Sequence, residues 1–253
     1  MHMRYVLITI LGLALGSFAN VLIDRVPVGK SIRGRSFCDR CRRNLRWWEL
    51  VPVVSASILR QRCPTCNGAI ACRNTAVEIG CAAILLSVLW RYDGAVTTAG
   101  VVEALGLLAL FVLAVIDIRH GVVPDQISIP AIAVVAIARV FRTPYSVFSV
   151  LSVVFAVLIG AGFFWLQRII SRGRWVGDGD TRVGALMGAL FAPVHLLLAL
   201  AVSYIIGGAL AAALLLTRRA ERGSHLPLVP FLWAGSFVAV LWGERIIAWY
   251  GFV

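Results

Sequence analysis

Apolar residues run through this chain in long unbroken blocks, without the regular polar stripe of a soluble helix. A helix crosses the hydrocarbon layer of a bilayer with about 20 consecutive apolar residues. The blocks predict helix one over about 5–22, helix two over 76–90, helix three over 96–116 and helix four over 127–140. Helix five follows over about 147–166, helix six over 182–192, helix seven over 195–216 and helix eight over 227–250. Pro193 separates helices six and seven. Helices four and six are shorter than a full span, so their ends must extend or the bilayer must thin around them. The pattern predicts an all-α polytopic membrane protein with about eight transmembrane helices.

One long polar stretch, 25–75, interrupts the pattern between helices one and two. It divides the chain into a first transmembrane helix (1–24), a polar loop (25–75) and a membrane core (76–253). The loop carries 11 of the 24 basic residues. These are Arg25, Lys30, Arg33, Arg35, Arg40, Arg42, Arg43, Arg46, Arg60, Arg62 and Arg73, and an excess of Lys and Arg marks cytoplasmic loops. With the loop inside, Arg119, Arg168, Arg172, Arg174, Arg182, Arg218, Arg219 and Arg222 also fall inside. Only Arg4, Arg91, Arg139, Arg142 and Arg245 fall outside or at outer helix ends, a split of 19 to 5. Helix one resembles a signal peptide in composition. Cleavage there would leave the basic loop outside, so the block is read as a retained helix with the N-terminus outside.

Composition agrees with a membrane protein. Of 253 residues, 60% are hydrophobic and 14% charged, against about a quarter charged in soluble domains. The mean hydropathy is +0.89. The net charge of +12 could mark a nucleic-acid binder. Its placement at the inner membrane face explains it without one, so no nucleic acid is expected as a partner.

Against this background the acids stand out, because carboxylates beside lipid-soluble sequence are costly and usually face a bundle interior or a water-filled cavity. Asp117 falls at the inner end of helix three. Asp180, in Gly177-Asp178-Gly179-Asp180, falls at the inner start of helix six. They are 63 residues apart, yet the helix count puts both at the cytoplasmic membrane edge. Two carboxyl groups in one site share a proton. The ionised member can then take a proton from water while the other polarises a peptide carbonyl. The catalytic candidates are therefore Asp117 and Asp180. Structural alternatives are an N-cap role for Asp180 and an ion pair of Asp117 with Arg119 or Arg182. Asp178 and Asp125 read as supporting or capping residues. Gly177 and Gly179 would allow close backbone approach, as of an extended substrate. Gly184 and Gly188 form a small-x-x-x-small pattern that could hold helix six against helix three.

The polar loop has its own chemistry. Cys38-x-x-Cys41 and Cys63-x-x-Cys66 are separated by 21 residues, just beyond the usual spacing of about 15–20 for a four-thiolate zinc site. A reducing cytoplasmic side disfavours disulfides, and a loop this basic has little core, so a structural zinc would supply the missing stability. Four thiolates saturate the ion and leave no position for a reacting water. Reduced cysteines without metal are the alternative. Cys72 and Cys81 lie outside the pattern, and Cys81 reads as a small buried residue of helix two.

These residues resemble the type IV prepilin leader peptidases, among the Gly-x-Gly-Asp intramembrane aspartic proteases. The likeness begins at Gly16-Ser17-Phe18-Ala19-Asn20-Val21, takes in both cysteine pairs and Trp48-Glu49-Leu50-Val51-Pro52, and passes through Ile116-Asp117 with Val123-Pro124-Asp125. It ends in Gly177–Asp180 and Gly184–Gly188. The resemblance implies that Asp117 and Asp180 are the catalytic pair, and that cleavage falls after a glycine ending a basic leader, before the apolar helix of a prepilin or pseudopilin. It implies a second activity, N-methylation of the new terminus from S-adenosylmethionine, in the inner or plasma membrane. Thr181-Arg182-Val183 and Ala71-Cys72-Arg73-Asn74 depart from the family's usual residues. A basic leader would seek acids, of which Asp39, Glu49 and Glu78 are the candidates near the loop. The alternatives are a peptidase without transferase activity, an ion transporter with a cytoplasmic zinc module, and a membrane-anchored binding module without chemistry.

Overall fold

The computed structural model describes residues 2–38, 40–53, 59, 61–68, 72–142, 147–218 and 226–251. Asp39, Arg60, Ala71, Arg219 and Arg222 lie outside the described residues. The described regular structure is helical, with one isolated antiparallel bridge between Phe37 and Asn44. Contacts divide the chain into two compact units, Met1–Ala95 and Val96–Val253.

The first unit is built on α1 (His2–Arg25) and α2 (Cys72–Arg91). The two helices touch backbone to backbone, because a side chain at Gly12 or Gly16 would collide with the backbone of Ala82 or Glu78. Small residues permit this approach, and interhelical hydrogen bonds then substitute for a hydrophobic drive that lipid does not supply. Asn20 Nδ2 donates to the Asn74 carbonyl at 2.9 Å. Further along the same seam Arg73 pairs with Asp24 at 2.9 Å. Arg25, at the end of α1, donates to the carbonyls of Ser31, Ile32, Arg33 and Arg35 and gathers the start of the loop around itself. Cys81 is buried in α2, as its place in the apolar block predicts.

The second unit is a bundle of α3 (Thr98–His120), α4 (Asp125–Arg142), α5 (Val147–Ser171), α6 (Asp178–Leu190), α7 (Pro193–Leu216) and α8 (Val229–Trp249). Every residue of α6 from Val183 to Leu190 is buried, so the shortest helix is the centre of the unit. Its main partner is α5, not α3 as the glycine pattern was read above. Side chains at Gly184 and Gly188 would strike Gly160, Phe164, Ala156 and Val157 of α5.

Six helices, α1, α2, α3, α5, α7 and α8, are long and apolar enough to cross a membrane. The chain is a multi-pass membrane protein. The remaining two, α4 with 18 residues and Pro130 inside it and α6 with 13, are the pair already short in sequence. At 1.5 Å per residue α6 is only about 20 Å long, so its C-terminal carbonyls end inside the bundle, where unpaired backbone groups are expensive. Arg139 on α4 resolves this, donating to the carbonyls of Gly188, Ala189 and Phe191. Arg139 is thus a cap for the end of α6.

Helix ends also shift. Asp117 lies in the last turn of α3, because Gly121 at φ +63° closes that helix with its N–H on the Asp117 carbonyl. Asp180 lies in the first turn of α6 and not in the preceding loop.

Candidate active site and metal centre

The second unit brings Asp117 and Asp180 into one electrostatic neighbourhood. Asp117 Oδ2 accepts from the Val229 N–H at 3.1 Å, the first residue of α8. Asp180 Oδ2 accepts from the Gly177 N–H at 2.9 Å, reaching back to the start of its own helix as the third residue of a capping box does. Each carboxylate therefore sits at a helix N-terminus, where free N–H groups and the helix dipole favour negative charge. Asp180 also lies within reach of the charge of Asp117. Two carboxyl groups that meet in one site can share a single proton.

The capping alternative for Asp180 is realised, and capping does not exclude catalysis. The ion-pair alternative through Arg182 is not realised, because Arg182 pairs with Asp125 and donates to the Val123 carbonyl at 3.1 Å. Asp178 is exposed and pairs with Arg168 at the end of α5. Both outer acids are supports, as read from sequence. Gly179 needs its missing side chain, since a Cβ there would come within 2.7 Å of Val123. The close approach is made by this chain's own α3–α4 turn, not by an open channel for substrate. Gly177 has ordinary extended dihedrals, φ −85° and ψ 172°, so unusual backbone geometry is not its role.

In the first unit the four cysteines converge. Cys38 and Cys66 Sγ are 3.7 Å apart, Cys41 and Cys63 Sγ are 4.0 Å apart, and all four sulfurs lie within 4.8 Å of one another. A tetrahedral ion with metal–sulfur bonds of about 2.3 Å sets its sulfurs about 3.8 Å apart. The cluster could hold a metal ion. Its two halves are copies of one turn. Arg42 N–H donates to the Cys38 carbonyl and Asn67 N–H to the Cys63 carbonyl, each at 2.8 Å, and both donors are left-handed, at φ +60° and +54°. Such turns aim backbone N–H groups at sulfur. Bonds from the Cys66 and Thr65 N–H groups bring the Cys63 thiol down to about 6. Cys38 is lowered in the same way by Cys41 and Arg40. The Gly68 N–H pulls the Cys66 thiol down, but burial and the neighbouring thiols together push it up to about 11.

Arg43 joins this cluster to the rest of the loop. It donates to both oxygens of Glu49 at 2.9 and 3.1 Å and lies 3.9 Å from Cys63 Sγ. Its hydrogen bond holds the Glu49 carboxyl below the usual range, and Glu49 also accepts from the Arg46 N–H at 2.7 Å. Glu49 is buried in this role and is not open to a basic leader. Glu78 is buried too, accepting from the Val53 N–H at 2.8 Å and from Ser17. The motif Gly16-Ser17-…-Asn20 is thereby explained: glycine for contact with Glu78, serine to hydrogen-bond it, asparagine one turn on to bridge to α2.

Sequence reasoning did not find the Val229 N–H at Asp117, nor the Arg139 cap. The first carries no side-chain signal. The second had one, an arginine inside an apolar block beside a helix that stops short.

Comparison with known proteins fixes the relationship. Residues 10–92 match the bacterial peptidase A24 N-terminal domain, and residues 104–212 match the type IV leader peptidase family. The chain is 32% identical to a prepilin leader peptidase/N-methyltransferase of Pseudomonas putida, over 96% of this chain and 92% of that protein. It is 33% identical to one of Bacillus subtilis (strain 168), over 95% of each. The chain belongs to the type IV leader peptidase family. No solved structure matches it. The two family matches fall one in each compact unit, the first on α1, the cysteine loop and α2, the second on α3 through most of α7.

Proposed function

We propose that this family member is a membrane aspartic endopeptidase that removes the leader of type IV prepilins or pseudopilins after glycine and N-methylates the new terminus. The observation that carries the reading is the convergence of Asp117 and Asp180, from distant helices, on two helix N-termini. The ionised carboxylate takes a proton from water as the water attacks the scissile carbonyl, and the protonated partner donates to the carbonyl oxygen. Collapse breaks the C–N bond, and the departing nitrogen takes up a proton. The amide dipoles at the starts of α6 and α8 keep one acid ionised without a metal.

Cys38, Cys41, Cys63 and Cys66 hold a structural zinc in this reading. Spacing, sulfur distances and the lowered Cys63 thiol support zinc, and the ion supplies fold to a loop that lacks a core. S-adenosylmethionine supplies the electrophilic methyl group. A cavity of about 390 Å³ beside the first turn of α3, lined by Val96, Val101, Val102, Ala138 and Phe141 among others, has apolar walls and lies at the far end of α3 from Asp117. It does not suit a polar sulfonium donor.

The basic loop faces the cytoplasm by charge, with the N-terminus outside in the plasma or inner membrane. Residues 1–24 anchor, 25–75 form the metal-bearing loop, and 76–253 carry the peptidase. Eight membrane-crossing helices, with α4 and α6 as incomplete ones, keep both acids on one side. If α4 and α6 did not reverse the chain, the acids would part. A reporter at Arg172 should read cytoplasm, and an outside reading would refute this orientation. The function itself is tested with purified protein and a prepilin-like peptide. Wild type should cleave after the glycine and Asp117→Asn should not; cleavage by both would remove the acid pair from the mechanism.

A further inference from the structure

The cavity beside the first turn of α3 changes polarity along the helix axes. α3 and α4 are joined by a short link, so Thr98 at the start of α3 and Arg142 at the end of α4 lie at the same end of the hairpin. Both line the cavity, together with Thr97. One turn further in, the lining is Val101, Val102 and Ala138. Val102 is buried, whereas Val101 and Phe141 are exposed at the rim.

The gap has a local cause. Ala138 precedes Arg142 by one turn, and residues four apart share a helix face. The alanine side chain is too small to fill the space below the guanidinium. Arg139, the next residue, is committed to the carbonyls at the end of α6, so its long stem does not fill the space either.

Charge and shape together select an occupant. No acid lines the cavity: Glu103 is not among its lining residues, and the acid of α4, Asp125, stands at the other end of that helix. Arg139 and Arg142 give this end of α4 two positive charges. Thr97 Oγ1 accepts from the Gly100 N–H at 3.0 Å and keeps its own O–H as a donor. An anion rich in acceptors answers this end, and an apolar chain answers the other. α3 is long and apolar enough to cross a membrane, so the polar end sits toward the bilayer edge and the apolar end toward its interior. One turn of helix, about 10 Å across and 5.4 Å long, already fills about 420 Å³. The cavity holds about 390 Å³, so a partner helix does not fit inside it.

We propose that this cavity binds an anionic phospholipid, with one acyl chain against Val101, Val102 and Ala138 and the phosphate on Arg142 and the threonine hydroxyls. A guanidinium presents its N–H groups in a fork that matches phosphate. Its stem lies along the apolar wall while the charge stays at headgroup level. The site stands at the opposite end of α3 from Asp117 and is independent of the peptidase reading.

The test uses the full chain, delipidated in a neutral detergent. It is titrated with phosphatidylglycerol or with phosphatidylcholine of the same acyl chains, and bound lipid is counted by native mass spectrometry beside the thermal midpoint. One basic side chain near an anionic headgroup is worth about fivefold in affinity, so wild type should prefer phosphatidylglycerol by at least that factor. Arg142→Gln should bring the two lipids to within about twofold of each other. Arg142→Lys should keep most of the preference, which separates lost charge from a folding defect. Ala138→Leu should weaken both lipids by filling the groove. Inorganic phosphate should leave the midpoint where it was. Equal retention of the two lipids by wild type, or an undiminished preference in Arg142→Gln, would overturn the headgroup assignment. Unchanged lipid binding in Ala138→Leu would remove the acyl chain from this groove, and a midpoint raised as much by inorganic phosphate would make the ligand an anion without a chain. A dimer that Ala138→Leu dissociates would put a second copy of the chain in place of the lipid.

Discussion

The cysteine loop and helix α6 are held in place by opposite means. Among its described residues the loop has few buried apolar side chains, and its organisation comes from four sulfurs, the Arg43–Glu49 pair and Arg25 bound to a row of carbonyls. Helix α6 is buried from Val183 to Leu190, with glycine set against glycine on α5. One region depends on polar chemistry that a chelator or a single substitution can remove. The other depends on close packing, which resists solvent but tolerates no added volume. A chain that carries out two reactions can keep them separately vulnerable in this way.

The largest expected effects are two losses that should not coincide. Asp180→Asn should lower peptide cleavage by about 10²–10⁴-fold, the range for general acid–base groups, while zinc content stays at about one per chain. Cys63→Ser should do the reverse, losing metal and ordered loop structure with a sharp fall in methylation of pre-cleaved substrate and a smaller fall in cleavage. Metal analysis, limited proteolysis and the two assays on the same preparations decide it. A metal-free protein that methylates at the wild-type rate would show that the loop has no part in the transferase. The acid pair should also be visible in pH. Two carboxyls that share one proton titrate in two steps. Cleavage should decline on the acid side as both protonate and on the alkaline side as the shared proton leaves.

What could be read in advance follows the same division. The sequence pattern located the eight helices to within a few residues, because each apolar block is bounded by charge, glycine or proline. The four cysteines were legible because metal geometry is encoded in spacing. The closeness of Asp117 and Asp180 was legible only through the parity of the helix count. What the pattern did not carry was partner choice. Gly184 and Gly188 announce a close contact but not with which helix, and the partner is α5. Glu49 and Glu78 look like free acids in a basic loop, yet they are internal hydrogen-bond acceptors. Arg139 counts only as a charge near a helix end, because a one-dimensional count cannot see that it caps α6.

The packing side of the comparison is sharpened by two substitutions of intermediate effect. Gly184→Leu puts a side chain into the backbone of Gly160 and the ring of Phe164. Overpacking typically costs about 1–3 kcal/mol, and more is expected where backbone blocks relaxation. Arg139→Leu keeps an apolar stem but leaves the carbonyls at the end of α6 unpaired, at about 1–3 kcal/mol for each buried polar group left unsatisfied. Both should lower the thermal midpoint in detergent and reduce cleavage with metal content unchanged. Wild-type stability in Arg139→Leu would mean those carbonyls find another donor.

The smallest effect is expected at Asp178, and it bears on whether the motif's two aspartates are equivalent. Asp178 and Asp180 sit two residues apart in the first turn of α6, and sequence alone treats them alike. Their surroundings differ. Asp178 is exposed and paired with Arg168 at the surface, whereas Asp180 points back to the Gly177 N–H and feels the charge of Asp117. Surface ion pairs contribute about 0–1 kcal/mol, and Asp178→Asn keeps a side chain that can still accept from Arg168. Cleavage by Asp178→Asn should therefore stay within about threefold of wild type, in line with that range, and the pH profile should not move. A loss as deep as that of Asp180→Asn would show that the Arg168–Asp178 pair shapes the site directly. The division between the packed helix α6 and its replaceable surface contacts would then have to be redrawn at the first turn of that helix.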